Sequence, residues 1–180
     1  MVSTQPLFSQ DHAELITEKY LRSEFTFHES TKMKYSECIE KTHMTCTYVW
    51  GVITPKSEKK DLKRTKNGLA PDGNKLMIIY AKATKLADFE RVLATYRDAK
   101  IVEGVGQKSV WSQQRKQLSL ITDKNLIMHV NVEMKKDPKQ RQAEMMARMQ
   151  GKPMPKKKAE TNDGNKEHVI SIAKHVLNQL

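Results

Sequence analysis

The net charge of this chain is confined to two short segments, and that confinement decides which residues are available to build a core. Residues 54–66 (TPKSEKKDLKRTK) carry six Lys or Arg against two Asp or Glu, a net of +4. Residues 135–158 (KKDPKQRQAEMMARMQGKPMPKKK) carry nine against two, a net of +7. Together they account for the whole formal charge of +11. The remainder is electrically balanced, so the chain reads as a near-neutral folded body with two basic loop insertions, flexible segments at 54–73 and 135–162. Of 180 residues the insertions take 20 and 28, leaving 132 for the body. Chains of that size bury roughly 65–70% of their unfolded surface. Residues 1–180 therefore read as one self-sufficient domain.

The body alternates between two periodicities. Residues 11–22 (DHAELITEKYLR) read as a helix, with Ser9 or Asp11 as cap and Leu15, Ile16 and Tyr20 as its apolar stripe. Phe25 and Phe27 alternate with polar residues, as in a half-buried strand. Strands are expected over 35–39, 45–53, 76–81 and 118–121. Another is expected over 126–134, where Leu126, Met128, Val130, Val132 and Met134 share one face. Residues 84–98 form the clearest helix, capped by Thr84, with Leu86, Phe89, Val92, Leu93 and Tyr96 on one side. Gly104 and Gly106 mark a tight strand connection, and residues 163–180 close the chain as a helix. Hairpin signals recur without a regular strand–helix alternation. The class is α+β, a largely antiparallel sheet covered by helices, with a C-terminal helix.

Cys38 and Cys46 are the two cysteines, separated by seven residues whose centre, Glu40 to His43, is polar and turn-like. A hairpin turning near Lys41 and Thr42 places the two sulfurs opposite each other, within disulfide reach. Two reduced thiols and a metal site are the alternatives. The spacing fits no common zinc motif, and His43 is the only further ligand type close by. A bridge implies the periplasm, a cell surface or the exterior. The N-terminus shows neither the basic nor the apolar part of a signal peptide. An envelope location therefore expects a signal segment outside this sequence, and a cytosolic chain is the alternative.

One resemblance extends over residues 34–53 and 74–180. A helix carrying Phe89 to Val92 leads to VEGVGQKSVWS, then QLSLIT, then LIMHVNV, and Cys46-Thr47-Tyr48 precedes them. This pattern resembles small bacterial cell-envelope lipoproteins and sensor-like domains with a PsbP-like α/β sandwich. The chain departs from it at Gln107, where an acidic residue is usual, and in the long insertion at 135–162. The resemblance implies a fold and a compartment rather than an activity.

Chemistry-bearing motifs are sparse. Gly104-Val105-Gly106 lacks the third glycine of a dinucleotide fingerprint, and neither a Walker sequence, a G-x-S-x-G elbow nor an HExxH is present. No catalytic residue, cofactor or metal is expected. Met134, Met145, Met146, Met149 and Met154 offer soft sulfur for Cu(I), yet the surrounding Lys and Arg repel a cation, and helical spacing also suits packing. The basic segments lack aromatic residues for stacking on bases.

The expected function is that of a non-enzymatic cell-envelope domain, secreted or lipid-anchored, that binds a protein or an anionic surface. The binding residues are Lys59, Lys60, Lys63, Arg64 and Lys66, with Lys139, Arg141, Arg148, Lys152, Lys156, Lys157 and Lys158. A cytosolic nucleic-acid-binding accessory protein is the alternative, to be recognised by steeply salt-dependent binding.

Overall fold

The computed structural model describes residues 14–27, 29–83, 85–135, 146, 149, 150 and 164–180. Seven strands, β1 (Thr31–Glu40), β2 (Met44–Val52), β3 (Asn74–Lys82), β4 (Ala99–Ile101), β5 (Lys108–Ser112), β6 (Gln117–Ile121) and β7 (Leu126–Glu133), form one sheet in the order β1-β2-β3-β7-β6-β5-β4. Every neighbouring pair is antiparallel. The helices are α1 (Glu18–Glu24), α2 (Pro55–Lys66), α3 (Leu86–Leu93) and α4 (Gly164–Leu177). The α+β class, the antiparallel sheet and the closing helix agree with the sequence reading.

Period-two patterning decides what each sheet face meets. Met128, Val130 and Val132 of β7, Leu76, Ile78 and Tyr80 of β3 and Cys46, Tyr48 and Trp50 of β2 project into the main core. There they meet Leu21 of α1 and Val169, Ile172, Ala173 and Val176 of α4. On the other face Phe89 of α3 packs on Ile121 and Ile127. β6 lies between the two layers, and Ser109 and Ser112 of β5 are hydrogen-bonded to Val102 and Asp98, which explains why residues 109–112 and 118–121 are all buried rather than alternating.

β4 and β5 flank the Gly104–Gly106 connection, where the sequence reading specifies no strand, α2 replaces an expected loop, and three further elements differ from expectation. α1 is capped by Thr17, whose hydroxyl accepts from the Tyr20 amide, and covers only the second part of the expected helix; Ser9 and Asp11 lie outside the described residues. Phe25 and Phe27 join no strand and instead pack against Trp50. α3 ends at Leu93, short of residue 98. The chain turns there because Tyr96 and Asp98 are drawn to the sheet: Gln117 donates to the Tyr96 hydroxyl (2.8 Å), and Asp98 accepts from Ser112 (2.8 Å) and from the Gln114 amide (2.6 Å).

The Gly104–Gly106 connection is as tight as its glycines imply. Gly106 has φ +63°, and a Cβ there would stand 2.7 Å from the Ile121 carbonyl oxygen.

Cys38 and Cys46 face each other in the β1–β2 register and are joined by a disulfide, with the turn at 41–43. The bridge clips the sheet's outer strand to its neighbour across a short loop. Its removal by Cys38→Ala with Cys46→Ala is expected to cost about 2–3 kcal/mol of unfolding free energy. A urea midpoint that does not move between the variant and the parent would show that the bridge carries no stability.

Candidate anion-binding surface

Residues 55–66 are a helix, α2, and not the loop that their composition predicts. Thr54 and Ser57 cap each other: the Ser57 amide donates to the Thr54 hydroxyl (3.1 Å) and the Thr54 amide to the Ser57 hydroxyl (2.8 Å). Pro55 opens the helix, where a missing amide proton does no harm. Glu58 sits in the first turn and Lys63, Arg64 and Lys66 in the last, the arrangement the helix dipole favours. No α2 residue is buried, so hydrophobic packing, the usual source of helix stability in proteins, is not what holds it.

Polar tethers hold it instead. Asp61 accepts from Lys34 of β1 (3.0 Å) and from the Asp72 amide (2.8 Å), and Lys34 also donates to the Asp72 carbonyl (3.1 Å). The Lys34 and Asp61 side chains are only 8% and 15% exposed. Arg64 donates to the Ala70 carbonyl (2.8 Å). Asp72 in turn bridges Lys135 (2.6 Å) and Lys60 (3.2 Å). The hydrogen bond from Lys135, then that from Lys60, hold its carboxyl down to about 2, against an opposing push from burial.

This clasp joins the two cationic segments. Lys135 is the first residue of the second segment, and its amide donates to Asn74 (2.7 Å) at the start of β3. Val52, Asn74 and Glu133 all lie at one end of the sheet, because Trp50 pairs with Asn74 and Lys75 with Glu133. The chain returns at α4, whose His168 contacts Phe25, which packs on Trp50 at that same end. α4 then runs the length of the sheet, to the point where Lys124 meets the Leu180 carbonyl. Both segments thus spring from one pole of an otherwise balanced molecule.

The geometry sorts the predicted binding residues. Lys60 and Arg64 are occupied by Asp72 and Ala70. Lys59, Lys63 and Lys66, with Lys56, recur at intervals of three and four and fall within about 80° of arc on α2, over about 15 Å of its length. All four are exposed, and none has a hydrogen bond or ion pair with another described residue. Like charges at this spacing cost about 0.2–0.5 kcal/mol per pair, so the stripe works against the helix that carries it. Lys139, Arg141, Arg148, Lys152, Lys156, Lys157 and Lys158 lie outside the described residues. Sequence reasoning missed Lys56, Lys34, Asp61 and Asp72. Thr54-Pro55-Lys56-Ser57 was the local sign that a helix begins there.

A second polar cluster lies beneath Tyr96. Ser119 is fully buried; its hydroxyl lies 2.8 Å from His129 Nδ1 and donates to the Tyr96 hydroxyl (3.2 Å), while Gln117 donates to both hydroxyls. Arg115 lies 4.3 Å above the Tyr96 ring. Burial, then the positive field of Arg115 and of His43, pushes His129 down to about 4. Ser119 is fully buried, and the cluster pins the 94–98 turn to the sheet.

Among the described residues no group of three or more His, Cys, Asp or Glu is placed to hold a metal ion, and no helix is long and apolar enough to cross a membrane. The Cys38–Cys46 bridge fits an oxidising, extracytoplasmic environment. No protein-family model, curated protein or solved structure matches the chain.

Proposed function

We propose that the protein is a non-enzymatic cell-envelope domain, periplasmic or surface-exposed, that docks a polyanionic partner on its cationic pole. The observation that carries this reading is the stripe Lys56, Lys59, Lys63 and Lys66. It is exposed, has no intramolecular counter-ion among the described residues, and is displayed on a helix that serves no packing purpose. The disulfide and the resemblance to small envelope lipoproteins support the compartment. The test is a pair of charge-matched variants on immobilised heparin. Lys59→Glu with Lys63→Glu is expected to weaken binding about thirty-fold or more, since each near-surface lysine contributes about 1 kcal/mol. Lys41→Glu with Lys82→Glu changes net charge equally at the opposite pole and is expected to leave binding near the parent's. Equal losses in the two variants would mean that net charge alone, and not the stripe, governs binding.

A further inference from the structure

Most of the large apolar side chains that the described residues leave in water lie, in sequence, in or beside the two cationic segments. Ten large hydrophobic residues are exposed among those described: Ile39, Val52, Ile53, Leu62, Leu69, Leu86, Ile101, Met134, Met146 and Met149. Seven of the ten, all except Ile39, Leu86 and Ile101, lie within or directly beside the two cationic segments of the chain. Balanced surfaces scatter such residues singly. Here they gather around α2: Ile53 precedes it, Leu62 lies on it at 61% exposure, and Leu69 follows it at 53%. Leu62 stands about 40° round the helix from Lys66, on the border of the lysine stripe. Ile53 and Leu62 also line a cleft of about 470 Å³ between α2 and β1, together with Met33 and Pro71.

A helix with cations along one arc and aliphatic side chains at its margin and both ends matches the two layers of a membrane interface, phosphates outside and acyl chains beneath. Phosphates alone give aliphatic residues nothing to meet, and the absence of aromatics from both segments removes base stacking. The point charge of lysine suits mobile headgroups better than it suits a fixed bidentate partner. We infer that the polyanionic partner is the surface of an anionic phospholipid bilayer. The protein binds it peripherally, with the α2 stripe on the headgroups and Leu62, Ile53 and Leu69 entering the interface. This rests on the reading of the pole as an anion-binding surface and names its ligand.

The experiment is co-sedimentation of the full chain with vesicles of phosphatidylcholine alone and of phosphatidylcholine mixed with phosphatidylglycerol. The parent is expected on the mixed vesicles and not on the neutral ones. Leu62→Gln is expected to lower partitioning about ten-fold without altering heparin binding. Ile101→Gln, which removes a still more exposed side chain from β4, is expected to change neither. Retention on heparin without binding to mixed vesicles overturns the bilayer and leaves the anion-binding surface standing, with nucleic acid or an acidic protein as its partner. Vesicle binding that Leu62→Gln leaves intact overturns the insertion. Loss of both heparin and vesicle binding only in Lys59→Glu with Lys63→Glu, and of vesicle binding in Leu62→Gln, supports the whole proposal.

Discussion

Replacing Asp61 with alanine is expected to release α2 from the sheet while the sheet itself stays folded. Among the described residues Asp61 is the one acidic side chain that reaches Lys34, and it also takes the Asp72 amide. Breaking a poorly hydrated ion pair from one side leaves the other charge stranded, at a cost of about 3–5 kcal/mol. The molecule has a cheaper route here than unfolding. α2 buries no residue, so lifting it away gives Lys34 its water back and sacrifices little apolar contact. The penalty is therefore expected to appear as local opening, with the amides of residues 58–66 exchanging about a hundred-fold faster while the slowest amides of β3 and β7 keep their rates. Lys34→Met together with Asp61→Leu is expected to restore much of the protection, since an apolar pair of similar volume removes the stranded charge. Unchanged α2 exchange in Asp61→Ala would show that the clasp at Asp72 and Arg64 holds the helix without it. The proposed binding depends on this tether as well, because it helps to fix the orientation of the lysine stripe.

Acidification is expected to weaken the fold through His129. Its folded value of about 4 lies below the ordinary 6.5 because burial, and then Arg115 and His43, disfavour the charged ring. Between those two values the unfolded chain holds a proton that the folded chain refuses. The stability tied to His129 is thus complete above about pH 6.5 and is lost as pH falls toward 4, by about 3 kcal/mol over that window. His129→Gln keeps a hydrogen-bonding group beside Ser119 and cannot titrate. Urea midpoints for the two proteins at neutral pH and near pH 4.5 are expected to show a markedly smaller acid loss in the variant. Parallel losses would sink the assignment. Asp72 acts lower on the scale: its depressed carboxyl contributes stability above about 3.8 that disappears as pH falls toward 2, so the two effects separate along a titration.

β4, three residues long, and β5, buried over residues 109–112, gave no alternation to read, but alternation survives wherever one face alone is buried and made such strands legible. β7 shows this well, with Met128, Val130 and Val132 in the core and His129 and Asn131 opposite. The cysteine pairing was legible because turn chemistry and register coincide over nine residues. α2 was missed for a physical reason. A helix read from apolar periodicity must have an apolar face, and one held by Asp61, Arg64 and Lys60 has none to show. Its start was written in the capping residues alone. The early end of α3 was hidden in the same way, since the pull on Tyr96 comes from Gln117 and Ser119, more than twenty residues on. Nor does any local pattern announce that β3 adjoins β7, or that residues 60, 72 and 135 meet. The charge of the candidate surface was thus plain in the sequence, and its geometry was not.

The two outer strands bear on what happens when many copies gather on one surface. Sheet edges invite strand-to-strand addition, and concentrating molecules in two dimensions multiplies that hazard. At one edge β4 is only three residues long, too short to seed a ladder. At the other, β1 is ten residues long but carries a register break between Met33 and Tyr35 and charges at Lys32, Glu37 and Glu40. A bulged, charged edge makes a poor template. Molecules crowded side by side can therefore remain separate units rather than zip into a continuous ribbon.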